Sequence, residues 1–375
     1  MNRLKALNQA GQSVWLDFIR RQLLESGELA RMVADDGVSG VTSNPAIFEK
    51  AIAGSSDYTA ALAGQAAAGV SDPKALYEAL AVADIRDAAD VLRPVYDRTK
   101  GRDGYVSLEV APTLAHDTAG TLEEARRLWA TVGKPNLMIK VPATAEGIPA
   151  IKLLIADGIN VNVTLLFAVD MYERVAEAFI AGLDARDAAR KDISGVASVA
   201  SFFVSRIDST IDAKLAERAA AASPDERERL TALAGKAAIA SARLAYHRYL
   251  YMFRTPHWQA LAQRGARTQR LLWASTSTKN PAYRDVIYVE ELIGPDTVNT
   301  IPPATLDAFR DHGNIRASLE EAPDTAAAAL RAIEAAGISV REVTDFLLAD
   351  GVTQFQVAFA RLLAAVAEKI GAPKR

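Results

Sequence analysis

A (β/α)8 barrel, with eight parallel strands each followed by a crossover helix, is the fold this sequence predicts. Three observations predict it. Short β-like runs alternate with stretches of helical periodicity, which is the pattern of parallel strands joined by crossover helices. Eight such runs can be placed along the chain. At 375 residues, the chain also has the length that an α/β barrel with additions reaches as one unit.

The strand runs are 13–19, 40–44, 105–110, 137–143, 160–167, 196–203, 270–276 and 298–302. Between the third and fourth, Thr121-Leu122-Glu123-Glu124 opens a helix with acidic residues that suit its N-terminal dipole, and Gly133-Lys134-Pro135 ends it. Its apolar face is Leu122, Ala125, Leu128, Trp129 and Val132. After the sixth strand, about 208–265 is too long for one crossover helix and carries a new helix start at Ser223-Pro224-Asp225-Glu226. Two or more helices outside the barrel are expected there. Beyond the eighth strand, about 324–371 reads as helical. It ends in 352–370, whose apolar stripe includes Phe355, Phe359, Leu362, Leu363 and Val366, and this last helix is expected on the barrel or over its mouth. No internal repeat, low-complexity tract or flexible linker divides the chain, so a single domain over 1–375 is expected.

Composition excludes several kinds of chemistry. Half of the residues are apolar and 24% charged, the balance of a globular protein with material for a core. The formal charge is −3, with basic and acidic residues interspersed, so neither a nucleic acid nor a membrane is expected as partner. The chain has no cysteine, which removes disulfides, thiolate metal sites and a cysteine nucleophile. His116, His247, His257 and His312 are scattered with no metal-ligand spacing, so no metal and no cofactor are expected. His116 reads as a loop histidine without a role. The first residues lack the apolar run of a signal peptide, and a cytoplasmic location is expected.

In a closed parallel barrel both faces of each strand are covered, so polar residues within strands need a reason. The fourth strand reads Leu137-Met138-Ile139-Lys140-Val141-Pro142-Ala143, with one lysine in an apolar run. Burying an unpaired ammonium costs several kcal/mol, so Lys140 must find a carboxylate, lose its proton or reach solvent. Neighbouring strands repeat the anomaly. Asn160, Asn162 and Thr164 share one face of the fifth, Ser107 and Glu109 one face of the third, and Asp17 interrupts the first. Thr42-Ser43-Asn44-Pro45 ends the second. These residues fall toward the C-terminal halves of their strands, where barrel enzymes build active sites.

An amine among carboxylates and amides suits Schiff-base formation with a ketone, with Asp17 and Glu109 available for proton transfer. A phosphate anchor is legible at Arg206, just past the sixth strand, and in Ser275-Thr276-Ser277-Thr278-Lys279 past the seventh. Other uses of the same residues are a Schiff-base aldolase that releases dihydroxyacetone, a glycosidase built on Asp17 and Glu109, and a silent sugar-phosphate binder.

Together these segments resemble the transaldolase family. The resemblance is carried by Trp15-Leu16-Asp17, Thr42-Ser43-Asn44-Pro45-Ala46-Ile47-Phe48, Ser107-Leu108-Glu109-Val110, Met138-Ile139-Lys140-Val141-Pro142-Ala143-Thr144, Gly158-Ile159-Asn160-Val161-Asn162-Val163-Thr164-Leu165-Leu166-Phe167 and Ala274-Ser275. It implies a barrel of the Schiff-base aldolase type, in the longer bacterial form. It also implies that Lys140 forms the Schiff base, that Asp17 is the general acid/base, and that Glu109 and Thr164 hold a proton-relaying water. Asn44, Asn162 and Ser201 would bind dihydroxyacetone hydroxyls, Phe203 would shape the pocket, and Arg206 and Ser275 would hold phosphate. Where many members carry an arginine two residues after that serine, this chain has Ser277, and Lys279 is the charge at hand. The implied substrates are sugar phosphates, and a monomer or homodimer is expected. Closure of the pocket is expected from Trp15, Phe203 and the terminal helix.

Overall fold

The computed structural model describes residues 2–321 and 323–371. Eight strands close into a barrel in sequential order: β1 Gln12–Leu16, β2 Val38–Val41, β3 Tyr105–Glu109, β4 Leu137–Pro142, β5 Val161–Leu166, β6 Ser198–Phe203, β7 Arg270–Ala274 and β8 Thr297–Ile301. All neighbouring pairs are parallel, and β8 closes against β1 from Gln12↔Thr297 to Leu16↔Ile301. The chain is therefore a (β/α)8 barrel.

Several expected boundaries move, two of them for reasons visible in the local structure. The second strand was expected at 40–44 but ends at Val41, because Asn44 turns the chain: its side chain accepts from the Ile47 amide and caps the helix Pro45–Ala53. Pro45 sits at that helix's first turn, where its missing N–H costs nothing. The helix expected to open at Thr121 starts a turn earlier, at Thr118, with Asp117 accepting from the Gly120 amide. It ends at Gly133, which takes the left-handed conformation (φ 64°) that glycine adopts without a steric cost.

Four helices, Ser205–Ala220, Pro224–Thr231, Ala237–Met252 and Pro256–Gln263, lie between β6 and β7. Ser223 and Thr255 cap two of them through hydrogen bonds to the amides of Glu226 and Trp258. The terminal helix spans Val340–Gly371, so it begins well before 352. It packs against the helices Pro45–Ala53 and Pro73–Arg98. Phe355, Phe359, Leu362 and Val366 are buried on this seam, each contributing about 1.5–3 kcal/mol of transfer free energy. Phe359 meets Tyr77 edge-on at 5.8 Å between ring centroids.

Candidate active site

The strand register decides which polar side chains meet. Parallel pairing sets Glu109 opposite Lys140 and Lys140 opposite Asn162, so three polar residues from three strands form one inward row. One step up, Pro142 pairs with Thr164. Asp17 follows the end of β1 directly, on the same side of the barrel mouth as Thr42.

Lys140 Nζ donates to the Ser43 carbonyl at 3.0 Å and lies 3.3 Å from Glu109 Oε2, the two side chains being 6% and 5% exposed. Burial pushes the Glu109 carboxyl above its usual range, and the negative charge of Asp17 adds to the rise, while Lys140 opposes both. Asp17 is also raised, chiefly by desolvation, against the pull of the Thr42 hydroxyl, Lys140 and Lys279. Thr42 Oγ1 donates to Asp17 Oδ1 at 2.7 Å and lies 2.6 Å from Thr300 Oγ1. A hydroxyl has one proton, so Thr300 must be the donor in that second bond.

Asn162 donates to Ser107 Oγ at 3.0 Å and accepts from Ser201 Oγ at 2.7 Å, which fixes the orientation of its amide. Its neighbour Thr164 is buried with an unpartnered Oγ1. The next residue, Leu165, has φ 60°, where the pairing of β5 with β6 shifts register. A non-glycine residue held there costs about 1–3 kcal/mol, and such strain gathers at functional sites.

These residues sit at the base of a cavity of about 590 Å³, within the range of small-molecule sites. Asp17, Asn44, Lys140, Thr164, Ser201, Phe203, Arg206, Ser275 and Lys279 all line it. Glu109 and Asn162 stand just behind this wall, reaching it through Lys140 and Ser201. On the far side of the cavity, Arg206 lies over the Phe203 ring at 5.5 Å. Its Nη1 is buried without a hydrogen-bond partner, and desolvation lowers its pKa. Ser275 has φ 56° and its hydroxyl lies 3.0 Å from that of Ser205. Lys279 donates to Ser277 Oγ at 2.7 Å.

Two expectations need correction. Trp15 does not reach the cavity: it shares the inward face of β1 with Asp17 but lies one layer lower, its ring against Gly40 and its Nε1 donating to Asp103 at 2.6 Å. A side chain at Gly40 would meet that ring at 2.4 Å, so glycine is what admits the tryptophan. Asn160, expected on the polar inward face, spends its amide on the Pro135 and Leu137 carbonyls and its oxygen on the Ala197 amide. His116, read from the sequence as a loop histidine without a role, has a side chain 66% exposed that pairs with Glu146 at 3.1 Å, outside the cavity wall.

Lys50, Thr42, Thr300 and Phe355 also line the cavity; Thr42 was read only as part of the polar end of the second strand and Phe355 only as part of the terminal stripe. Lys50 was traceable, because it lies on the short helix that Asn44 caps. Phe355 brings the terminal helix to the mouth, and Gly351 lets that helix approach, since a side chain there would come 2.9 Å from Leu165 Cδ2. Among the described residues no cluster of three or more His, Asp or Glu could hold a metal ion. None of the described helices is long and apolar enough to cross a membrane.

Comparison with known proteins agrees with this geometry. Residues 14–366 match the family model described as transaldolase/fructose-6-phosphate aldolase. The chain is 47% identical to a transaldolase of Trichodesmium erythraeum, with 98% of each chain covered. It is 49% identical to transaldolase 2 of Nostoc punctiforme, again over 98% of each. A transaldolase of Thiobacillus denitrificans is 50% identical over 98% of this chain and 100% of its own length. A match of this extent, on a barrel that buries a lysine beside a glutamate, means that the chain belongs to the transaldolase family and is an enzyme of that kind.

Proposed function

We propose that the enzyme transfers a dihydroxyacetone unit from sedoheptulose 7-phosphate to glyceraldehyde 3-phosphate, giving erythrose 4-phosphate and fructose 6-phosphate. The observation that carries this reading is the enclosure of Lys140 between Glu109 and the Ser43 carbonyl beneath a cavity with an unpaired guanidinium.

Attack of the Lys140 amine on the ketose carbonyl gives a carbinolamine, and loss of water leaves an iminium. The C3–C4 bond then breaks toward the iminium as Asp17 takes the O4 proton, releasing the aldose and leaving an enamine on Lys140. The acceptor aldehyde is attacked by that enamine while Asp17 returns the proton to the new hydroxyl. Water then hydrolyses the imine and frees the product. The iminium is the electron sink, so the chemistry calls for no cofactor. Glu109 and Thr164 hold the water that relays protons during imine formation and hydrolysis, a role supported by the raised Glu109 carboxyl and the unpartnered Thr164 hydroxyl. Asn44 keeps its Nδ2 for a substrate hydroxyl while its oxygen caps the helix. Asn162 and Ser201 present a pre-ordered pair of polar groups to the three-carbon unit. Phe203 shapes the wall, and Arg206, Ser275 and Lys279 take the phosphate.

Transfer without hydrolysis requires the enamine to be shielded from water, a role we assign to Phe203 and the terminal helix through Phe355. In this reading the chain is one domain, including the helical insertion and the C-terminal helices. It works in the cytoplasm, in the non-oxidative pentose phosphate pathway, as a monomer or homodimer.

The test is borohydride reduction in the presence of fructose 6-phosphate, followed by peptide mapping. A stable adduct on the peptide containing Lys140, absent in Lys140→Arg, is expected, and labelling of another lysine overturns the proposal. Dihydroxyacetone that accumulates as fast without an acceptor aldehyde as product forms with one would mark an aldolase instead.

A further inference from the structure

We propose that Lys50 is a third cationic contact for the phosphate, collecting the anion at the cavity mouth before Arg206 orients it. The identity of the phosphate's carrier rests on the reading above; the anion site itself rests on the following geometry.

Lys50, Arg206 and Lys279 come from three separate elements, the helix Pro45–Ala53, the helix Ser205–Ala220 and the segment after β7, and all line the same cavity. Among the described residues, none of the three has an ion-pair partner within 4 Å. Lys279 donates only to the Ser277 hydroxyl, Lys50 makes no side-chain hydrogen bond, and Arg206 Nη1 is buried with none. Other half-exposed arginines of the protein do have such partners, as in Arg20 with Asp57, Arg127 with Glu78 and Arg284 with Glu290. Of the acids, only Asp17 stands in the cavity wall.

The unbalanced charge is felt within the site. Partial desolvation, then repulsion from Arg206 and Lys50, lowers the Lys279 amine, with Asp17 opposing. Asp17 acts on Lys279 and Asp350 on Arg206 only at a distance, with no carboxylate within 4 Å of the three among the described residues, and a phosphate monoester, which carries about −1.5 to −2 charges at neutral pH, suits such a group. The two residue types divide the work. Arg206 offers a half-buried planar fork, held over Phe203, for directed hydrogen bonds. Lys50 is exposed at the rim, a mobile point charge that attracts the anion from outside.

Calorimetric titration of the full-length protein with inorganic phosphate tests this, at low and at physiological ionic strength. Lys50→Met should weaken phosphate binding about fivefold at low salt, the upper end for an exposed charge pair. The difference should shrink as salt screens the rim, and Lys50→Arg should bind like the unaltered protein. Phosphate affinity unchanged in Lys50→Met overturns the proposal, as does an equal loss in Lys50→Arg, which would mean that shape and not charge matters. Borohydride trapping of dihydroxyacetone on the unaltered protein involves no phosphate. Failure there overturns the Schiff-base reading alone and leaves the calorimetric result standing.

Discussion

Two arginines at opposite ends of the barrel are treated in opposite ways. Arg270, at the start of β7, is 6% exposed and fully engaged: it donates to Ser13 Oγ and to the Arg102 carbonyl, both at 2.7 Å, and lies 3.7 Å from Asp103. Asp103 in turn accepts from Trp15 at 2.6 Å and from Ser39 at 3.0 Å. Arg206, just past the end of β6, has a buried nitrogen and no acceptor. The N-terminal end of the barrel uses buried charge to tie strands and loops together. At the C-terminal end, Arg206 keeps a buried nitrogen without an acceptor, as a contact for the proposed phosphate would require. Burial of a polar group therefore says little about function until its partners are counted.

The sharpest way to break this comparison is to remove both guanidiniums in turn. Arg270→Met should cost about 3–5 kcal/mol in urea unfolding, because it strands the Asp103 carboxylate in the interior. Arg206→Met should leave stability within about 1 kcal/mol of the unaltered protein or raise it, since a desolvated and unpaired charge is lost. A large destabilisation there would make Arg206 architectural and erase the distinction. The same variant should lower kcat/KM for phosphorylated substrates about 10- to 100-fold, as expected for loss of charge-assisted hydrogen bonds. Steady-state assays with fructose 6-phosphate as donor would show it.

The smallest effect is pH-linked. Burial raises Asp17 in the folded state, so the folded protein holds that proton more tightly than the unfolded chain does. The resulting stability is fully present below the unfolded carboxylate value of about 4 and is lost as pH rises through the raised folded value. Asp17→Asn should flatten the stability profile in that window, measured by urea melts at successive pH values. A profile that keeps its slope would assign the linkage to another group, with Glu109, also raised, the first to examine.

Much of the site was legible because strand periodicity is short and strict. Ser107 and Glu109, or Asn162 and Thr164, must share a face whatever the rest of the chain does. Lys140 stood out because a buried parallel strand has little use for an amine. The same periodicity misled at Trp15, since a face is not a depth: it points inward, yet one layer below Asp17. Lys50 and Phe355 were legible only by position, on the helix that Asn44 caps and in the stripe of the terminal helix, and Thr300 not at all; none stood out as a cavity residue. They lie on a crossover helix, a weakly patterned strand and a terminal helix, where an exposed lysine, a strand threonine and a stripe phenylalanine all have ordinary explanations.

From the sequence alone follow the alternation of strands and helices, the apolar runs with a single interrupting lysine or acid, and the polar faces of β3 and β5. These rest on local properties: the two-residue period of a strand and the cost of burying charge. Only the tertiary structure decided that Glu109 lies 3.3 Å from Lys140, that Thr300 supports Asp17 through Thr42, and that Lys50 faces Arg206 and Lys279. Those contacts depend on inter-strand register and on the closure of β8 against β1, which bring together residues hundreds of positions apart. No local pattern encodes such a distance.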